Sequence, residues 1–228
     1  MMQFPAGEPL TPEQLRLAST LPHKPAPVTL TGRYVRLEPY DARDAEALHA
    51  VSNGDPVSLG ERSVEAYDAD ALVWRYLFKG PFAGFAELAA FLGDIDATPN
   101  YRAFTVFDAA TGRQVGFTAY TSNLPEHLKI ELGHIWYSPV VQGTNANLES
   151  TYLMLRHAFE LGYRRIEWKC DALNERSRRA ALRMGFTFEG IQEAHFIIKG
   201  RNRDTAWFRV LDREWSDVCQ RLEGMLYG

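Results

Sequence analysis

The residues with the most chemical promise lie in one stretch, Glu131-Leu132-Gly133-His134-Ile135-Trp136-Tyr137-Ser138-Pro139-Val140-Val141-Gln142-Gly143-Thr144-Asn145-Ala146-Asn147. An apolar strand runs into a short polar turn and then into an amphipathic helix. The first N–H groups of a helix lack intrahelical partners, converge on one spot and sit at the positive end of the helix dipole. Gln142 to Asn147 therefore form a candidate cradle for a phosphate or pyrophosphate. The same residues also describe a plain strand-to-helix connection capped by Asn145 or Asn147. Neither G-x-G-x-x-G nor G-x-x-x-x-G-K-[ST] occurs anywhere in the chain.

A second cluster follows the next strand. Asn174 is placed to cap a helix, and Ser177 is placed on its first turn. Between residues 162 and 183 stand seven basic residues against three acidic ones. That excess suits an anionic ligand, although a solvated helix face has the same look. Cys170, on the strand, reads as a small buried residue. Trp74, Trp136 and Trp168 read as core, with an acceptor pocket as their other use. No H-E-x-x-H, no Cys/His cluster and no G-x-S-x-G occurs, so zinc and serine-hydrolase chemistry find no support.

These groups need a scaffold. Spacing predicts strands over 33–38, 103–107, 115–121, 130–137, 165–170, 188–198 and 205–211. Helices are expected over 42–52, 71–78, 86–95, 146–160, 175–184 and 213–222. The helix over 146–160 is the clearest, with Leu148, Tyr152, Leu155 and Phe159 at i, i+4, i+7 and i+11. Residues 199–203 read as the turn of the last hairpin. Strand alternation puts Glu131, Gly133, Ile135 and Tyr137 on one face and Leu132, His134 and Trp136 on the other. Only a bulge would let Glu131 and His134 serve one pocket. Hairpins combined with one strand–helix–strand unit give an α/β (α+β) domain, a single mixed sheet with helices on both faces.

Residues 1–29 differ from the rest, because Pro5, Pro9, Pro12, Pro22, Pro25 and Pro27 leave room only for a short helix over 13–20. Thr11-Pro12-Glu13-Gln14 supplies its capping box. This arm lies on the domain, on a second subunit of a homodimer, or free. Residues 30–228 form the domain. A net charge of −4 argues against a dedicated nucleic-acid binder. Two cysteines exclude a disulfide scaffold. No apolar run approaches the ~18 residues of a membrane span, which points to a cytoplasmic protein.

The segment around Gln142 resembles the acyl-CoA-binding motif of the GNAT N-acetyltransferases, Q/R-x-x-G-x-G/A, with Gln142 in first place. Asn174-Glu175-Arg176-Ser177 and Met184-Gly185-Phe186 resemble the family's N-x-x-S and G-F block. Leu30-Thr31-Gly32-Arg33-Tyr34-Val35-Arg36-Leu37 and Val115-Gly116 resemble its ribosomal-protein-acetyltransferase-like branch. The resemblance spans roughly residues 30–215, in the family's order. It departs at Asn145 and Asn147, where the family has small residues, and at Ala181, where the family often has a tyrosine that serves as general acid.

The resemblance implies a mostly antiparallel mixed sheet and transfer of an acetyl group from acetyl-CoA to a primary amine by direct attack. The acceptor is then a small molecule or a protein N-terminus, and no metal is needed. Glu131, eleven residues before Gln142, takes the position of the family's catalytic base, where a carboxylate can receive the amine proton. A solvated strand carboxylate is the plainer reading of Glu131. The resemblance further implies that Ile135, Trp136 and Tyr137 pair through their backbone with pantetheine. Gln142, Gly143, Thr144, Asn145, Ala146 and Asn147 then hold the pyrophosphate. Asn174 and Ser177 also contact the cofactor, and Ser177 is placed to protonate the leaving thiolate. The changed motif positions suggest an alternative, a non-catalytic acyl-CoA-binding sensor or assembly module.

Overall fold

The computed structural model describes Gly7 and residues 9–228, so Pro5 lies outside the described residues. In chain order the elements are α1 (Pro12–Thr20), β1 (Leu30–Thr31), β2 (Val35–Pro39), α2 (Ala45–Ala50), β3 (Val57–Leu59), β4 (Arg62–Val64) and α3 (Phe85–Ala97). There follow β5 (Arg102–Asp108), β6 (Gln114–Leu124), β7 (Lys129–Tyr137), α4 (Ala146–Glu160), β8 (Arg165–Asp171) and α5 (Glu175–Arg183). The chain ends with β9 (Thr187–Ile198), β10 (Arg201–Leu211) and α6 (Trp215–Tyr227).

Eight strands form one mixed sheet in the order β1-β2-β5-β6-β7-β8-β10-β9, and β3–β4 is a separate hairpin. Among the described residues only β7 and β8 run parallel, because α4 carries the chain back between them. One face packs Leu148, Tyr152 and Leu155 of α4 and Leu222 of α6 against Ile130, Leu132 and Ile166. The other packs Leu48 of α2 and Leu88 and Leu92 of α3 against Phe117 and Trp136. Each fully buried side chain of this size contributes roughly 1.5–3 kcal/mol, so the two cores fix the sheet between the helix layers.

Some expectations needed correction. The region expected as a helix over 71–78 is one turn of π-helix, Asp70–Trp74, followed by turns. The last hairpin turns on Lys199 and Gly200 alone, both at positive φ (49° and 73°). Arg201, Asn202 and Arg203, expected in that turn, pair with Ile198, Ile197 and Phe196.

Two devices tie the chain ends to the domain. The buried carboxylate of Glu149 accepts the backbone N–H groups of Arg33, Tyr34 and Val35 at 2.8, 2.6 and 2.8 Å. It also accepts the Tyr227 hydroxyl at 2.7 Å, and it fills the space a side chain on Gly32 would need. In the proline-rich segment, Thr11 and Gln14 form a reciprocal cap. Asn123 donates to the carbonyls of Pro22 and His23 at 3.0 and 2.8 Å, and Arg102 to that of Pro25 at 2.9 Å. Among the described residues, no helix is long and apolar enough to cross a membrane.

Candidate active site

β7 pairs with β8 only from Lys129 to Leu132, opposite Arg165 to Trp168. Beyond that point the strands part. On its other side β7 takes three steps, Gly133 to Trp136, while β6 takes two, Phe117 to Ala119. The extra residue belongs to a bulge in which His134 has φ +52°. A bulge reverses the alternation that follows it. Leu132 and Tyr137 thus both belong to the core under α4, and Trp136 to the core under α2 and α3. The expected grouping of Glu131 with Tyr137 holds only as far as Gly133.

The splay opens a cavity of about 560 Å³, into which both Glu131 and His134 face. Its other walls come from the end of β8, the segment 72–78, and Phe196 and Arg203 at the tip of the β9–β10 hairpin. Glu131 is 2% exposed, not a solvated strand carboxylate. Lys169 of β8 donates to its Oε1 at 2.7 Å and to its Oε2 at 2.6 Å. Burial pushes the Glu131 carboxyl above its ordinary value, and Lys169 offsets part of that rise. The His134 ring lies among Phe78, Phe91 and Tyr101, with centroids 6.1, 6.1 and 6.0 Å away. Burial, helped by Lys169 and Arg203, lowers its pKa to about 4, so the ring is neutral at pH 7.

The turn before α4 is built differently from its sequence reading. Gly143, at φ +77°, is its left-handed residue, whereas Asn145 has φ −74°. No glycine-like backbone is asked of Asn145. The side-chain cap comes from Thr144, whose Oγ1 accepts the Ala146 N–H at 3.2 Å, and not from Asn145 or Asn147. The N–H groups of Gly143, Asn145 and Asn147 meet no partner among the described residues, which leaves them free for an anion. Gln142, Gly143 and Asn147 line the main cavity; Thr144, Asn145 and Ala146 line a separate one of about 320 Å³ beside Arg33 and Arg62. Gln142 acts as a strut: its amide donates to the carbonyls of Tyr137 and Leu72, both at 3.0 Å.

Ile135, Trp136, Tyr137, Asn174 and Ser177 also line the main cavity. Asn174 caps α5, accepting the Ser177 N–H at 3.1 Å. Ser177 Oγ accepts the Trp168 indole N–H at 3.1 Å and keeps its own proton to donate, with the Cys170 sulfur beside it as one acceptor. Cys170 lines the wall as a thiol, since burial pushes its pKa up.

Residues 35–187 match the acetyltransferase (GNAT) domain. The chain belongs to the GNAT acetyltransferases. A GNAT N-acetyltransferase from Brucella melitensis is 39% identical, covering 88% of this chain and 86% of its own, with TM-score 0.78. A probable GNAT acetyltransferase from Chromobacterium violaceum is 31% identical, covering 95% and 100%, with TM-score 0.80. At 17% identity and TM-score 0.65, covering 81% and 99%, the fold is also shared with a Salmonella typhimurium acetyltransferase that modifies the N-terminal serine of a 50S ribosomal subunit protein. No curated protein matches by sequence.

This GNAT acetyltransferase has the expected mixed sheet flanked by helices, and it belongs with enzymes rather than with the non-catalytic alternative. At the family's tyrosine position, Ala181 is wholly buried. Lys169, Phe78, Tyr101 and Arg203 are parts of the cavity that the sequence reading did not single out as site residues. Lys169 carried one usable signal: it alternates with Ile166, Trp168 and Cys170, which marks it as facing away from their core.

Proposed function

We propose that this acetyltransferase moves the acetyl group of acetyl-CoA to a primary amine by direct attack. The observation that carries this reading is the parting of β7 and β8 beyond Leu132 and Trp168. It exposes unpaired backbone of β7 to a cavity that also receives a buried carboxylate. The free N–H groups from Gly143 to Asn147 suit the pyrophosphate, and the backbone from Ile135 to Tyr137 suits the pantetheine amides. Acetyl-CoA supplies an activated acyl carbon on a thiol leaving group.

Glu131 receives the amine proton, directly or through one water. Lys169 occupies one lone pair on each oxygen, so a carboxylate's remaining lone pairs are still able to accept. The amine nitrogen forms the new C–N bond as the C–S bond breaks, and the Ser177 hydroxyl delivers a proton to the departing sulfur. Neutral His134 lines the same space without adding charge against an incoming ammonium. The test is release of free thiol from acetyl-CoA with a panel of amines. Stabilisation by acetyl-CoA without thiol release from any amine would refute the transfer reading.

A further inference from the structure

The guanidinium of Arg203 sits over the rings of Phe78 and Phe196, 4.6 and 5.7 Å from their centroids. The side chain is 5% exposed, yet its Nε and Nη1 have no hydrogen-bond partner among the described residues. A buried guanidinium with unmet donors is costly, and its retention points to a partner that arrives with a ligand. Arg203 lines the same cavity as Glu131 and His134. Phe78 links the two ends, touching Arg203 on one side and standing 6.1 Å from the His134 ring on the other.

The charge balance of the cavity makes the choice of ligand. Lys169 and Glu131 neutralise each other. Asp171 turns Oδ1 back to cap the Leu173 N–H at 2.8 Å. Asp171 still opposes the charge of Arg203 from a distance, but no carboxylate lies within ion-pair distance of Arg203 among the described residues. Arg176, a second cation on the cavity wall, bonds only Gln142 and the carbonyls of Ala71 and Leu72 among the described residues, so the cavity keeps an excess of positive charge. Arginine's planar fork of donors matches a carboxylate, whereas a polyamine would bring only further positive charge.

We infer that the acceptor is an amine that also bears a carboxylate, with Arg203 binding the carboxylate while the amine lies at the β7 bulge beside Glu131. This rests on the acetyl-transfer reading and narrows it to amino acids and related amino-carboxylates.

The full-length protein is offered acetyl-CoA with α- and ω-amino acids, each beside its amide and its decarboxylated amine. The acids should be favoured by at least about 10²-fold in kcat/KM, since a site built for a charged partner rejects analogues lacking it. Arg203→Met should erase that preference, mainly by raising KM for the acids. Its acetyl-CoA Kd should stay within about threefold of the parent's, and Arg203→Lys should recover part of the preference. If Arg203→Met does not fold, the comparison of acid with amide on the unaltered protein decides alone. Amides used as well as acids would overturn the inference while leaving acetyl transfer intact. Weakened acetyl-CoA binding in Arg203→Met with the acid preference kept would overturn it too, by assigning the charge to a cofactor phosphate. Failure of every amine to release thiol would instead remove the transfer reading, and this inference with it.

Discussion

The ammonium of Lys169 bridges both oxygens of Glu131, with Nζ 2.7 Å from Oε1 and 2.6 Å from Oε2. The two residues are 38 positions apart and meet across neighbouring parallel strands, Glu131 just before and Lys169 just beyond their last registered pair, Leu132 with Trp168. Below the splay the pair is part of the sheet; above it the carboxylate faces the cavity. A strand-borne lysine thus opposes the burial that raises the carboxyl's pKa.

Removing the lysine should move the acid limb of the activity profile. In the proposed mechanism Glu131 acts as a base only when deprotonated, so kcat/KM should fall as pH drops through its pKa. Lys169→Met removes the influence that lowers that pKa and leaves the burial that raises it. The acid limb should therefore shift to higher pH, with the alkaline plateau less affected. A pH profile of kcat/KM checks this, and an unmoved limb would assign it to another group.

Glu131→Gln should lower kcat by roughly 10²-fold or more while leaving the acetyl-CoA Kd within about threefold. It should also lower Tm, since breaking a buried ion pair strands the remaining charge at a cost of about 3–5 kcal/mol. Adding Lys169→Met to that variant removes the stranded charge. The double variant is expected to regain much of the lost Tm and none of the lost rate. Recovery of both would mean that Glu131 serves only the fold.

His134 should make the protein acid-sensitive well above the ordinary carboxylate range. Its pKa falls from 6.5 to about 4 on folding. Between those values the unfolded chain binds a proton that the folded chain refuses, so stability falls as pH drops through that window. The full effect amounts to roughly 3 kcal/mol. His134→Asn keeps a residue tolerant of positive φ and removes the titration. Denaturant melts at pH 4 and pH 7 should then differ less than in the unaltered protein. An unchanged difference would place the acid sensitivity elsewhere.

At the start of α4 the strain-sensitive residue is Gly143, not Asn145. Gly143→Ala meets no neighbouring atom within 4 Å but must keep φ at +77°, costing about 1–2 kcal/mol of backbone strain. It should weaken acetyl-CoA binding by up to about tenfold if the turn relaxes. Asn145→Gly, at φ −74°, relieves no strain and should leave binding within about twofold. Calorimetric titration of both variants with acetyl-CoA distinguishes them, and the reverse order would show that the Asn145 side chain holds the cofactor.

Most of the scaffold was legible because strong local signals agreed. Gly162 closes α4 at Glu160 with its φ of +91°, and Leu148, Tyr152 and Leu155 face the core as their spacing requires. The hairpin β3–β4 escaped notice, since three-residue strands give too few alternations to stand out from a Gly- and Ser-bearing loop. In the candidate site, the family resemblance singled out Glu131, which lines the cavity, but not the lysine that bonds it. Lys169 becomes its neighbour only through the parallel register of β7 on β8, a non-local fact. The bulge at His134 had only a weak local sign, a glycine inside the strand pattern at Gly133, next to the residue that takes the positive φ. Arg203 was hidden by a turn read three residues too long, which made a buried wall residue look like a loop cation.

Glu149 has a kinetic consequence. The backbone donors it accepts stand 114 to 116 residues earlier in the chain. Until β2 docks, α4 carries a carboxylate that its apolar surroundings cannot satisfy. If this long-range contact forms after the folding barrier, as the cost of closing so long a loop favours, it acts mainly on the rate of unfolding. The edge strand nearest the N-terminus thereby becomes a latch on the lifetime of the native state. A proteolytic cut between residues 29 and 35 should shorten that lifetime for the entire sheet, because the edge cannot leave without stranding a charge in its core.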